Sequence, residues 1–130
     1  MQRRGGFTLI ELVIVIVIIA ILAAVAVPKF NDRTDGAREA ANLQSLSTLR
    51  GATELYNADT GGYPANMATD LTTYLKGPFP PVKIGSGSST AVKVVASNPM
   101  VAGDVDGAGG WLYNATTGEV RINHASLFAK

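Results

Sequence analysis

A single glutamate interrupts an otherwise apolar run near the start of this 130-residue chain. Residues 7–27 read FTLIELVIVIVIIAILAAVAV, with Glu11 five positions in and Arg3 and Arg4 just ahead of the run. A hydrophobic stretch of this length is a membrane-span candidate, and a carboxylate inside a span is costly. Such an acid reads as a functional residue in search of a positive partner. The positive groups near it in sequence are Arg3, Arg4 and the amine that heads the chain. A second chemical pattern is Asp104-Val105-Asp106-Gly107. Alternate carboxylates of this kind converge on one calcium ion where a glycine allows the turn. The other acids of a full calcium loop are missing, so a polar turn between strands is the competing reading. His124 is the only histidine, and no nucleophile motif accompanies it. Asn114-Ala115-Thr116 fits a glycosylation sequon and carries little weight.

Composition narrows the remaining chemistry. The chain has no cysteine, which removes disulfides, thiolate metal sites and a cysteine nucleophile. The formal charge is +1 and becomes −1 without Arg3 and Arg4 (9 basic against 10 acidic residues). No basic patch marks a nucleic-acid partner. About 100 residues remain beyond the apolar run, enough for one modest core.

The elements that position these residues follow from periodicity. Residues 13–19 are all Val or Ile, which in water favours a strand. Length and a lipid solvent favour a helix, because hydrocarbon leaves the backbone to satisfy its own hydrogen bonds. As a helix, residues 7–27 span about 31 Å, close to the hydrocarbon thickness. Arg3 and Arg4 predict a cytoplasmic N-terminus. Beyond Pro28 the polarity switches, and Ala40, Leu43, Leu46, Leu49, Ala52 or Thr53, and Tyr56 mark one helical face. Pro28 predicts a bend, and Asp35-Gly36 is a possible cap for a second helix from Ala37. Residues 57–64 (NADTGGYP) end the helix. A short helix is predicted over 67–75, and residues 85–89 (GSGSS) read as a mobile loop tip. Strands are predicted at 91–96, 110–114 and 119–123, the last two forming a hairpin through residues 115–118. Trp111, Tyr113, Val120 and Ile122 supply the packing of an antiparallel sheet.

Gly6-Phe7-Thr8-Leu9-Ile10-Glu11, the apolar run and Pro28 together resemble the N-terminus of the type IV pilin and pseudopilin family. The resemblance covers residues 1 to about 30. It implies a leader cut between Gly6 and Phe7 by a prepilin peptidase, N-methylation of Phe7, and assembly through Glu11 and Pro28. In that family the acid at the position of Glu11 pairs with the terminal amine of a neighbouring subunit. Two departures stand out. Ala20 lies where pilins often carry glycine, and the C-terminal disulfide loop of many pilins is absent. Tyr63-Pro64 after the long helix resembles the major pseudopilins of type II secretion, which bind calcium in a C-terminal loop. Asp104 and Asp106 are the candidate ligands here.

The expected fold is α+β and pilin-like, with a long N-terminal helix on a small antiparallel sheet. The expected organisation is a leader at 1–6, a membrane and filament-core helix at 7–28, an amphipathic half at 29–60 and a small globular region at 61–130. The expected function is that of a non-enzymatic subunit of a type IV pilus or type II secretion pseudopilus. Its expected partners are further copies, other pilins, the prepilin peptidase and N-methyltransferase, an inner-membrane assembly platform, and lipid before assembly. It is expected first in the inner membrane and then in a periplasmic or extracellular filament. The competing reading is a small secreted binding or enzyme domain. In it Arg3 and Arg4 head an ordinary signal peptide cut after Ala26, at the A-x-A pattern of residues 24–26.

Overall fold

The computed structural model describes residues 6–130, and of residues 27–32 it describes the helical backbone alone. The chain divides into two compact units, Met1–Gly36 and Ala37–Lys130. One helix, α1 (Leu9–Thr60), enters both. Asp35 and Gly36 lie within it, so the cap considered there does not form and the backbone stays helical through Pro28. The side-chain surroundings of Pro28, and the structure at Arg3 and Arg4, lie outside the described residues.

In the second unit the helical stripe is buried or half-buried from Leu43 onward, and its first predicted member, Ala40, is not. Leu46, Leu49, Ala52 and Thr53 are buried, Leu43 and Tyr56 are half-buried, and Ala40 is exposed. α1 ends at the Gly61-Gly62 pair and is followed by α2 (Met67–Asp70) and a 3-10 turn (Leu71–Thr73). Asn66 caps α2 by accepting the Ala68 N–H (3.1 Å), and Met67 and Leu71 enter the core.

Five short strands follow. β1 (Val82–Ile84) and β2 (Gly87–Ser89) pair antiparallel. The segment read as a mobile tip is therefore this hairpin's turn and second strand. Gly85 sits at the first central position with φ +54°, where a II′ turn favours glycine. β3 (Val92–Val94), β4 (Trp111–Tyr113) and β5 (Val120–Ile122) form a second sheet in that order. β4 and β5 pair antiparallel as the hairpin predicts, with Trp111 opposite Ile122 and Tyr113 opposite Val120. β3 runs parallel to β4, so the sheet is mixed rather than wholly antiparallel. The reason is the connection over residues 95–110, long enough to return the chain to the same end of the sheet.

The fold is α+β. Its core joins Leu46, Leu49 and Ala52 of α1 to Met67, Leu71, Val82, Trp111, Tyr113, Val120, Ile122 and Leu127. The two large aromatic residues keep their polar ends satisfied. Trp111 donates to the Pro80 carbonyl (2.8 Å), and Tyr113 donates to the Pro64 carbonyl (2.7 Å). Tyr63, next to that anchor, lies beside Gly118 of the β4–β5 turn.

Candidate functional site

The first candidate site is the start of α1. Gly6, Phe7 and Thr8 precede the helix in open backbone, and Phe7 is 86% exposed. Thr8 and Glu11 form a reciprocal cap. The Glu11 Oε2 accepts from the Thr8 N–H and from the Thr8 hydroxyl, each at 2.8 Å. The Glu11 N–H donates to the Thr8 hydroxyl oxygen at 3.3 Å. The acid thus sits over the helix N-terminus, where unpaired N–H groups and the helix dipole favour a negative charge. Behind it, Leu9–Ala26 has a mean hydropathy of 3.3 and is long and apolar enough to cross a membrane. No described part of the first unit covers this helix, and its large apolar side chains from Phe7 to Val25 are exposed on every face.

The second candidate site is the connection between β3 and β4. Asp104 closes a single 3-10 turn (Ala102–Asp104). Its Oδ2 accepts from the Ser97 hydroxyl (2.5 Å) and the Val101 N–H (2.8 Å), and these bonds hold its carboxyl below the usual carboxylate range. Asp106 Oδ1 accepts from the Ala108 N–H (3.0 Å) and from Asn123 Nδ2 (2.7 Å). Lys93 Nζ lies 3.0 Å from Asp106 Oδ2 and donates to the Asp104 carbonyl at 2.8 Å. The Ala108 N–H, Asn123 and Lys93 together bring the Asp106 carboxyl down to about 2. Asn123 is buried beneath the loop, where it also accepts the Asp106 N–H (3.1 Å) and donates to the Gly109 carbonyl (3.2 Å). Among the described residues no group of three His, Cys, Asp or Glu side chains is placed to hold a metal.

Residues 1–27 match the family described as the prokaryotic N-terminal methylation motif. The chain carries a prepilin-type N-terminus. Similar curated proteins point the same way. The type II secretion system core protein G of Klebsiella pneumoniae is 39% identical over 64 residues, 49% of this chain and 46% of that protein. The type IV narrow pilus major component PilA5 of Thermus thermophilus is 48% identical over 63 residues, 48% of this chain and 54% of that protein. The fimbrial protein EcpC of Eikenella corrodens is 33% identical over 97 residues, 74% of this chain and 63% of that protein. The chain spans about half the length of the first two of these relatives. No solved structure matches it significantly.

In this prepilin-type chain the sequence-derived site residues fall in two separate places. Gly6 and Phe7 lie just ahead of α1 and Glu11 in its first turn, Asp104 and Asp106 share one loop of the second unit, and Pro28 lies within α1 with its side chain outside the described residues. Sequence reasoning centred on Glu11 passes over Thr8, its partner. The signal is nonetheless there, since T-x-x-E ahead of an apolar run is the capping-box pattern. Lys93 and Asn123 are also missed, because they lie in strand-like segments far from the aspartates in sequence. His124 makes a local contact with Ser126 (2.8 Å) in the turn after β5. Asn114 is buried and spent on structure. It donates to the Ser97 carbonyl and caps the N–H groups of Thr116 and Thr117.

Proposed function

We propose that this chain is a structural, non-enzymatic subunit of a type IV filament. On this reading residues 1–6 are a leader, removed by a prepilin peptidase that cuts between Gly6 and Phe7 and N-methylates Phe7. Residues 7–28 hold the precursor in the inner membrane with its N-terminus in the cytoplasm. An assembly platform then draws subunits out, and residues 7 to about 58 pack into a helical bundle with other copies or other pilins. The globular region from residue 61 onward faces outward, in the periplasm or outside the cell.

The observation that carries this reading is the uncovered apolar helix headed by one acid. Fourteen large apolar side chains are exposed between Phe7 and Val25. Covering them is worth on the order of 20 kcal/mol at about 1.5–3 kcal/mol for each full burial, discounted for partial exposure. Lipid supplies that cover before assembly and neighbouring helices supply it afterwards, so transfer between the two is close to neutral in apolar terms. Direction and register then fall to the polar group. Glu11 is the one charged side chain in the span, and a terminal amine freed at Phe7 on a neighbour is its natural partner.

The relatives are pilus, fimbrial and type II secretion proteins, which supports a filament or secretion-system role and divides between a pilus and type II secretion. The Tyr63-Pro64 anchor against Gly118 and Tyr113 and the absence of cysteines favour the pseudopilin-like placement. Intact mass and N-terminal sequencing of the protein from its native host test the pathway. A chain beginning with N-methyl-Phe7 is the expected result. A chain beginning at Val27 overturns it and leaves a small secreted domain.

A further inference from the structure

The resemblance to major pseudopilins implies calcium in the C-terminal loop, and the donor set of this loop does not fit that ion. Calcium takes six to eight oxygens at about 2.3–2.6 Å, drawn from carboxylates, carbonyls and water. Here Asp106 spends both carboxylate oxygens on Ala108, Asn123 and Lys93. Asp104 spends Oδ2 on Ser97 and Val101.

We propose that the ammonium of Lys93 takes the place of a calcium ion and closes this loop as a built-in cation. Its surroundings are of the kind a loop offers to calcium: the Asp104 carbonyl at 2.8 Å and the Asp106 carboxylate at 3.0 Å. The position is fixed from behind. Lys93 is the middle residue of β3, whose neighbours Val92 and Val94 register with Trp111 and Tyr113 of the buried strand β4. On the far side, Asn123 of the segment after β5 bonds both the Asp106 carboxylate and its N–H. A covalently attached cation has no free-ion equilibrium, so its occupancy does not follow calcium concentration. A divalent ion entering the loop would meet the ammonium at close range and be repelled. The inference concerns the second unit alone and stands whether or not the chain enters a filament.

The test uses the full chain in detergent micelles, with thermal unfolding read by Trp111 fluorescence. The expected result is the same Tm in chelator and in millimolar calcium, with no calcium uptake in equilibrium dialysis. Lys93→Met and Asp106→Asn are each expected to lower Tm by about 3 °C, and the double variant to fall no further than the worse single. A calcium-dependent rise in the Tm of the unaltered protein, or measurable calcium uptake, overturns the proposal. Additive losses in the double variant also overturn it, because the two groups would then be acting independently. The calcium titration needs no variant, so a variant that fails to fold leaves the decision intact.

Discussion

Replacing Asn42 should loosen the β1–β2 hairpin from α1 by a predictable amount. Asn42 is 2% exposed, and its carboxamide meets the backbone of Lys83 as another strand would. Nδ2 donates to the Lys83 carbonyl and Oδ1 accepts the Lys83 N–H, both at 2.8 Å. Asn42→Leu removes both bonds and offers nothing in return. Each is worth about 1 kcal/mol net, and the two abandoned backbone groups cost more to the extent that water cannot reach them. Lys83 is itself exposed, so water relieves part of that penalty. The expected loss is about 2 kcal/mol, or ~8–16 °C in Tm for a unit of this size. Asn42→Asp should lose at least as much at neutral pH, since it keeps the acceptor but turns a buried anionic oxygen toward the Lys83 carbonyl. Thermal unfolding of the full chain in detergent, with amide exchange at Lys83, measures both the loss and its location. An unchanged Tm together with unchanged protection at Lys83 would refute the reasoning, because it would mean that core packing alone seats the hairpin.

Glu11→Gln keeps the capping geometry with Thr8 but removes the charge, so it should insert into membrane normally and fail to yield filaments by electron microscopy. Normal filaments from that variant would mean that the cap, and not the charge, is what assembly uses. Gly118→Ala should destabilise the second unit by roughly 1–3 kcal/mol, since φ is +73° there and a Cβ would strike the Tyr63 ring; chemical denaturation measures it. Burial raises the Tyr113 phenol to about 12, above its value near 10 in an unfolded chain. Stability from this group is complete below pH ~10 and is lost as pH rises toward 12, because the unfolded chain releases the proton first. An alkaline unfolding series should show the loss in that window, and Tyr113→Phe should remove it.

The first unit is legible because its chemistry is local in sequence. Hydropathy over Leu9–Ala26, one acid and the T-x-x-E spacing specify a capped apolar helix without reference to anything distant. The amphipathic half of α1 and the β4–β5 hairpin are legible for the same reason, since one has a helical period and the other a glycine turn. What the sequence conceals depends on long separations. The parallel pairing of β3 with β4 follows from the path of residues 95–110, which no short-range period encodes. The β1–β2 hairpin hides in a segment whose Gly and Ser content reads as a linker. It is bonded at Lys83 by Asn42, forty-one residues earlier, and seated by Val82 in the core, contacts that its own composition does not announce. The Lys93 clamp is invisible for the same reason: a lysine in a strand carries no sign of the carboxylate it will meet.

These concealed contacts share a chemistry that explains how a cysteine-free domain of this size holds its C-terminal third. Its strands are three residues each, too short for ladders alone to fix the loops between them. Long-range side chains bond to backbone instead. Asn42 reaches Lys83, Asn114 reaches the Ser97 carbonyl, and Asn123 holds Asp106 and Gly109. Arg50 of α1 donates Nε and Nη2 to the Val120 carbonyl (3.2 and 3.0 Å), joining the helix directly to β5. Arg121 pairs with Glu119 at 2.6 Å, donates to the Phe128 carbonyl and lies over the Phe128 ring, which fastens the last turn to β5. Each of these bonds is worth less than one disulfide, roughly 1 kcal/mol against 2–4. Several are therefore needed where one staple would serve. Their losses should be shared unevenly, with Asn42 and Asn123, buried and bonded twice or more, outweighing the partly exposed Arg121.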